Sequence, residues 1–449
     1  MAETLHFDDV VPEFSAIIRD VFGKKSLQEG LIFRDAFGKV GFCSKNNITE
    51  EIKRSVQRAI SGRLGAWAHN EGTPIDPEDF AHKRLMSAPA RWEDIDIGEE
   101  ERVTVRLADR RIVGQDWVTA PLPAATESPR RLVFWSAKGG GGRTTALCVL
   151  AAALAQDGFN VLVIDADLEA PGLGTLLLRK DELPRFGLLD YLAETGIVDW
   201  DETDLGSCLG VSYLTDMANN QGLIHVVPAI GTATLKTPQN MIAKLSRAFL
   251  EKPTEDDGPM AVRDQLRQFV DIMAQRRAYD AILIDARAGL SEFSASTLLG
   301  LRASVLAFAT EQAQSYQDMS FMFAHLSGLD HAEPTPDALD WRHQFHFIQA
   351  KAEREEDNLV AFQTGLHGVL SKHFYEAEAE EDDVEVTDSG ESFSFSLQDE
   401  DAPHRSAHIY FDANYKKFDP VQNVTLMRKE AYQSSFESYL DRARTILGL

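Results

Sequence analysis

Residues 136–145 read Ser-Ala-Lys-Gly-Gly-Gly-Gly-Arg-Thr-Thr. Four consecutive glycines, Gly139, Gly140, Gly141 and Gly142, lack Cβ atoms, so the backbone there can approach a ligand closely and adopt positive φ. Successive N–H groups in such a turn converge on an anion. Upstream, Arg131-Leu-Val-Phe-Trp135 is a short apolar run that reads as a buried strand. Downstream, Thr144 to Ala155 is apolar and built from good helix formers, so a helix starts at the loop. A helix N-terminus adds free N–H groups and partial positive charge, which suits phosphate. Strand, glycine loop and helix together read as a phosphate cradle, with the Thr144 hydroxyl placed for Mg²⁺.

Two further segments follow in order. Val161-Leu-Val-Ile-Asp-Ala-Asp167 is an apolar strand ending in acids on alternate positions, which share a face of a strand. On that pattern Asp165 and Asp167 point toward the bound phosphates. Ala281-Ile-Leu-Ile-Asp285 is a second buried strand with one terminal acid, suited to hold Mg²⁺ through water. Any one of these acids alone could merely cap a turn; the ordered set is the signal.

These stretches resemble the ParA/MinD group of deviant Walker A ATPases. The resemblance spans roughly residues 130–350 and rests on Lys138 to Thr145, Val163 to Pro171 and Leu283 to Gly289. Softer matches are Ile224 to Ile230 and Ala307 to Gln312. More narrowly, the chain resembles the arginine-variant branch, whose loop reads KGGVGR and whose second acid is followed by a Leu-Glu-Ala-Pro-Gly stretch. The resemblance implies an ATP- and Mg²⁺-binding ATPase that forms a nucleotide-sandwich homodimer. It implies that Lys138 reaches the other subunit's phosphates and that Arg143 replaces the in-subunit phosphate lysine. Gly139 to Thr145 then cradle the nucleotide and Thr144 binds Mg²⁺. Asp167 orients the attacking water, making it and Lys138 the catalytic pair. Asp285 is the acid on the Mg²⁺ side, with Asp165 a further candidate metal donor.

Two departures stand out. Arginine is a larger, planar, always-charged fork. It can hold phosphate bidentately but needs room, which Gly141, in place of the family's common valine, is expected to supply. The expectation is retained nucleotide binding with slow or partner-dependent hydrolysis. Arg287, where relatives often carry proline, reads equally as a phosphate sensor or as a surface partner for an acid. The resemblance favours ATP, in keeping with the lack of the Thr/Asn-Lys-x-Asp run by which related GTPases read guanine.

The chain has 449 residues, 44% of them apolar, and a net charge of −26. Residues 376–401 hold twelve acids and no Lys or Arg, yet the rest still carries −14. Such a surface repels nucleic acid and acidic lipid, without excluding a local basic patch such as 51–63, which otherwise reads as a solvated helix face. The apolar runs fall far short of the ~20 residues a membrane span needs, and the acidic N-terminus lacks a signal-peptide pattern. Cys43, Cys148 and Cys208 form no disulfide framework or metal motif, which fits a reducing cytoplasm. His343 and His346 read as structural.

The expected fold class is α/β, a parallel β-sheet covered by helices, with a smaller N-terminal α+β domain over 1–118, a proline-marked linker over 119–130 and the ATPase domain over 131–449. Strands are expected near 131–135, 161–165, 223–227, 281–285, 304–309 and 344–348, and helices over 234–250 and 261–276. The acidic insertion spans 376–401, and Phe393 to Leu397 is expected to form a hairpin with Ala407 to Phe411. A packed C-terminal helix spans 427–447. The leading functional expectation is a nucleotide-controlled switch acting on an unidentified protein partner, a bacterial stress or defence system being one setting. The alternatives are a non-hydrolysing nucleotide scaffold and a phosphotransferase similar to bacterial tyrosine kinases, the latter weakened by having only Tyr432 and Tyr439 in the last helix.

Overall fold

The computed structural model describes residues 5–69, 73–98, 101–110, 114–217, 221–252, 259–329, 340–376 and 393–449. The chain divides into two compact units, residues 1–120 with 328–333, and 121–327 with 334–449. Most of the acidic insertion, 377–392, lies outside the described residues.

The first unit is a four-stranded sheet in the order β2-β1-β4-β3, formed by β1 (Leu31–Arg34), β2 (Val40–Cys43), β3 (Arg91–Ile97) and β4 (Glu101–Asp109). Helices Phe7–Phe22 and Glu50–Leu64 share its core. Phe14, Ile18, Val56 and Ile60 are buried with Phe42, Val105 and Leu107. In the basic stretch 51–63, Lys53 pairs with Asp76 and Asp79, both at 3.1 Å, and Arg63 with Glu13 at 2.6 Å.

The second unit is an eight-stranded sheet in the order β12-β11-β10-β5-β9-β6-β8-β7. Its strands are β5 (Arg130–Ser136), β6 (Val161–Ala166), β7 (Gly210–Val211), β8 (Ile224–Val227), β9 (Ala281–Ala286), β10 (Ser304–Ala309), β11 (Phe345–Ala352) and β12 (Ala407–Tyr410). All neighbours are parallel except β7 with β8. The fold is therefore α/β with a mostly parallel sheet between helices. Strands buried on both faces explain the unbroken apolar runs; in β6 and β9 every residue is buried.

Two expectations are corrected. Ala407 to Phe411 does not pair with Phe393 to Leu397. Instead β12 extends the sheet parallel to β11, with Ala407 and Ile409 turned into the core. Phe393 and Phe395 join an aromatic cluster with Phe374 and Tyr375. The expected helix 234–250 is two pieces, Thr232–Lys236 and Met241–Ala248, broken at Pro238. Proline disfavours the α region for the residue before it, and Thr237 sits at φ −128°, ψ 59°.

The C-terminal helix runs Lys429–Leu447 and packs onto the unit through Tyr432, Phe436, Tyr439, Leu440 and Ala443. The Tyr439 hydroxyl donates to the Ala146 carbonyl at 3.0 Å, and that of Tyr432 to Gln156 at 3.1 Å. Among the described residues no helix is long and apolar enough to cross a membrane.

Candidate functional site

β5 is the buried centre of the sheet, Leu132 to Trp135 being fully enclosed, and it delivers the chain to the glycine loop. Ser136 ends the strand, and its hydroxyl donates to the Lys138 carbonyl at 2.7 Å, starting the turn. Gly140 at φ 78° and Gly142 at φ 81° take left-handed conformations that only glycine adopts cheaply. Gly142 then caps the Arg143–Gln156 helix, whose first-turn amides lack intrahelical partners. That helix is buried along its length from Ala146 to Ala155, so its N-terminus is fixed.

The loop after β9 is strapped to the same place. Gly289 N–H donates to the Ser136 carbonyl at 2.9 Å, and the Trp135 indole donates to the Gly289 carbonyl at 3.0 Å.

Four of the predicted residues converge under the loop. Arg143, 8% exposed, turns inward, with Nη2 3.4 Å from Asp167 Oδ2 and Nε 3.7 Å from Asp285 Oδ1. Thr144 Oγ1 donates to Asp285 Oδ2 at 2.6 Å. Burial pushes the Asp285 carboxyl up to about 6, against the pull of Arg143 and of the Thr144 hydrogen bond. Asp165 lies beside Asp285 in strand register. Burial and then the Asp285 charge push its carboxyl up to about 8. Its oxygens accept three backbone amides, from Asp167 at 3.2 Å and from Gly172 and Leu173 at 3.0 Å. Asp165 thus secures the 167–173 turn, while Asp167 lies beyond the strand end facing Arg143. Asp167 Oδ1 also accepts the Ala170 amide at 3.2 Å.

Other predicted residues stand apart. Lys138 is exposed at the loop's front, and Arg287 pairs with Glu169. The space beside Gly141 is not where Arg143 goes. A Cβ there would meet Ser136 Cβ at 3.4 Å, its Oγ at 3.5 Å and the Lys138 carbonyl oxygen at 3.7 Å. Arginine is accommodated by pointing down onto the acids.

Two cavities flank the loop. One, of about 500 Å³, runs from Gly140 to Thr145 past an aromatic wall of Tyr410, Phe411, Tyr415, Phe418 and Phe436. The other, of about 270 Å³, is lined by Lys138, Gly139 to Gly141, Thr310, Gln312 and Ser315. Lys351 lines both. Lys351 Nζ donates to the Gly140 carbonyl at 2.8 Å, a contact absent from the sequence-based expectations. The available signal was a lysine near the end of the largely apolar run Phe345–Ala352. The aromatic wall was missed because it comes from residues beyond the acidic insertion.

The residues fit a nucleotide with Mg²⁺. Among the described residues, Asp285 Oδ1 and Arg143 Nη1 are buried without a hydrogen-bond partner, a state that costs free energy unless a ligand relieves it. No group of three or more acid, His or Cys side chains gathers among them. A hydroxyl and one carboxylate suit Mg²⁺, which keeps several waters.

Residues 132–338 match the family model of the CobQ/CobB/MinD/ParA nucleotide binding domain, which supports kinship of this segment with the ParA/MinD-like group. No curated protein sequence matches the chain. Similar solved structures include an ATP complex of McdA from Cyanothece, 15% identical over 74% of this chain and 98% of that one, TM-score 0.43. The cell division ATPase MinD of Pyrococcus furiosus is 20% identical over 51% and 75%, TM-score 0.34. A plasmid partition protein from Borrelia burgdorferi is 18% identical over 53% and 85%, TM-score 0.34.

Proposed function

We propose that the chain is an ATP-binding, slowly hydrolysing switch ATPase of the arginine-variant branch, which dimerises through nucleotide and acts on a protein partner. The observation that carries this reading is the convergence of Arg143, Thr144, Asp167 and Asp285 beneath a glycine loop, with two buried polar atoms, Arg143 Nη1 and Asp285 Oδ1, making no hydrogen bond.

In this reading the loop amides from Gly139 to Thr145 cradle the phosphates, as oriented N–H groups at a helix start do. Thr144 and Asp285 hold Mg²⁺, and Asp165 supports them by fixing the 167–173 turn. Mg²⁺, when bound, neutralises phosphate charge and orients the oxygens. Asp167 positions the attacking water, but in the structure it faces Arg143. Hydrolysis therefore requires that ion pair to open, which accounts for slow or partner-dependent turnover. Lys138, exposed at the front, is available to a second subunit's phosphates. Arg287 is held by Glu169 and can sense phosphate only by leaving it. The aromatic wall of the larger cavity offers π-faces to a base, in keeping with ATP.

The same Arg143–Asp167 contact favours a second reading, a scaffold that binds nucleotide and never hydrolyses it. The two are separated by measuring mass in solution with and without ATP–Mg²⁺, and phosphate release. The switch reading expects ATP-dependent dimerisation that is lost in Lys138→Ala, and slow phosphate release that falls further in Asp167→Ala. Equal release by wild type and Asp167→Ala supports the scaffold. Fast release by the wild type without any partner, or a mass insensitive to nucleotide, would sink the switch.

A further inference from the structure

Lys351 occupies an unusual backbone position. β11 pairs residue for residue with β12 up to Ala350↔Ile409, then resumes at Ala352↔Tyr410, so Lys351 is skipped as a bulge. Its φ is 57°, in the left-handed region, inside a strand. A non-glycine residue there is strained, and such strain clusters where a side chain must be aimed. Here it sends the side chain across to the glycine loop, where Nζ donates to the Gly140 carbonyl at 2.8 Å. Lys351 thereby forms a shared wall of the two cavities on either side of the loop.

The charge around the loop gives this cation a task. Arg143 is turned onto Asp167 and Asp285, so its charge is answered before a ligand arrives. A polyphosphate entering the loop then meets fewer uncommitted cations than the sequence suggests. Lys351 is exposed, makes no ion pair with an acid among the described residues, and spends one of three N–H donors on Gly140. It can keep the carbonyl and accept an anion together.

We infer that Lys351 is a phosphate-binding residue of this site, an ammonium supplied in the same subunit that takes over the work from which Arg143 is diverted. The ligand class is a nucleoside di- or triphosphate, so the inference rests on the nucleotide-binding reading above. A charge-assisted bond to phosphate predicts about ten- to hundredfold weaker binding without it.

The test is the equilibrium Kd of the full-length protein for ATP and ADP with Mg²⁺, alongside the thermal midpoint without nucleotide. Lys351→Met is expected to weaken ATP binding by that factor and to flatten its salt dependence, and Lys351→Arg to stay within a few-fold of wild type. Lys351→Gly removes both the ammonium and the backbone strain. It should therefore bind as weakly as Lys351→Met while melting no lower than wild type. Near-wild-type affinity in Lys351→Met or Lys351→Gly would overturn the inference and leave the nucleotide reading standing. A wild type that binds neither nucleotide would overturn both.

Discussion

The glycine loop makes a quantitative prediction, because its glycines are not equivalent. Gly142 sits at φ 81°, whereas Gly141 has no positive φ. An alanine at 142 must adopt a left-handed backbone at a cost of about 1–2 kcal/mol. A Cβ at 141 meets its nearest neighbours at 3.4, 3.5 and 3.7 Å, ordinary contact distances. There Gly141→Ala should restrict mainly the unfolded chain and stabilise by about 0.4–1 kcal/mol. The two substitutions, one residue apart and chemically identical, should shift stability in opposite directions by a total of about 1.5–3 kcal/mol. Equilibrium urea unfolding followed by intrinsic fluorescence is suited to this, since Trp135 is fully buried at the loop's base. With a urea slope of about 3 kcal/mol/M for a unit of this size, the midpoints should separate by about 0.5–1 M. Coincident midpoints, or Gly141→Ala falling below Gly142→Ala, would refute the reasoning that backbone hand rather than crowding makes these positions glycine.

Two other expectations concern stability away from the loop. Tyr439 is fully buried, with its hydroxyl on the Ala146 carbonyl. Tyr439→Phe should cost about 1 kcal/mol and Tyr439→Ala about 3–5 kcal/mol, and equal costs in denaturant titration would contradict a helix held by ring packing. The second concerns His346 in β11, whose pKa burial lowers to about 4, helped by Arg442 and His343. The unfolded imidazole takes up its proton first on acidification, so this stability is present above pH 7 and is lost as pH falls toward 4. The loss at pH 5 is on the order of 2 kcal/mol. Urea midpoints at pH 7.5 and 5 should show a shallower pH dependence in His346→Phe, and an unchanged slope would contradict it.

The strands β5, β6 and β9 were readable because burial on both faces of a parallel sheet leaves short apolar runs, and in β6 and β9 such a run leads into an acid. The glycine loop was readable for the same local reason. Edge strand β12 was not, since Ala407 to Tyr410 could pair with a nearby segment or with the open edge of β11, and only the tertiary structure decides. Pro238 was visible and should have split the 234–250 helix. Arg143 was recognised as a substitution, but its direction depends on Asp167 and Asp285, which are remote in sequence. The bulge at Lys351 left no periodic trace.

At the end of the second unit's long Glu356–His373 helix, the Glu376 amide donates to the Phe393 carbonyl at 3.0 Å, and the Phe393 amide donates back to the Glu376 carboxylate at 3.2 Å. The chain that leaves at one residue thus re-enters at its neighbour in space, closing a clasp before continuing to β12. Closure entropy grows only slowly with the length of what lies between. The clasp joins the two ends of a stretch whose length it hardly feels: doubling the number of residues between Glu376 and Phe393 is expected to add only about 0.6 kcal/mol to the cost of closing it.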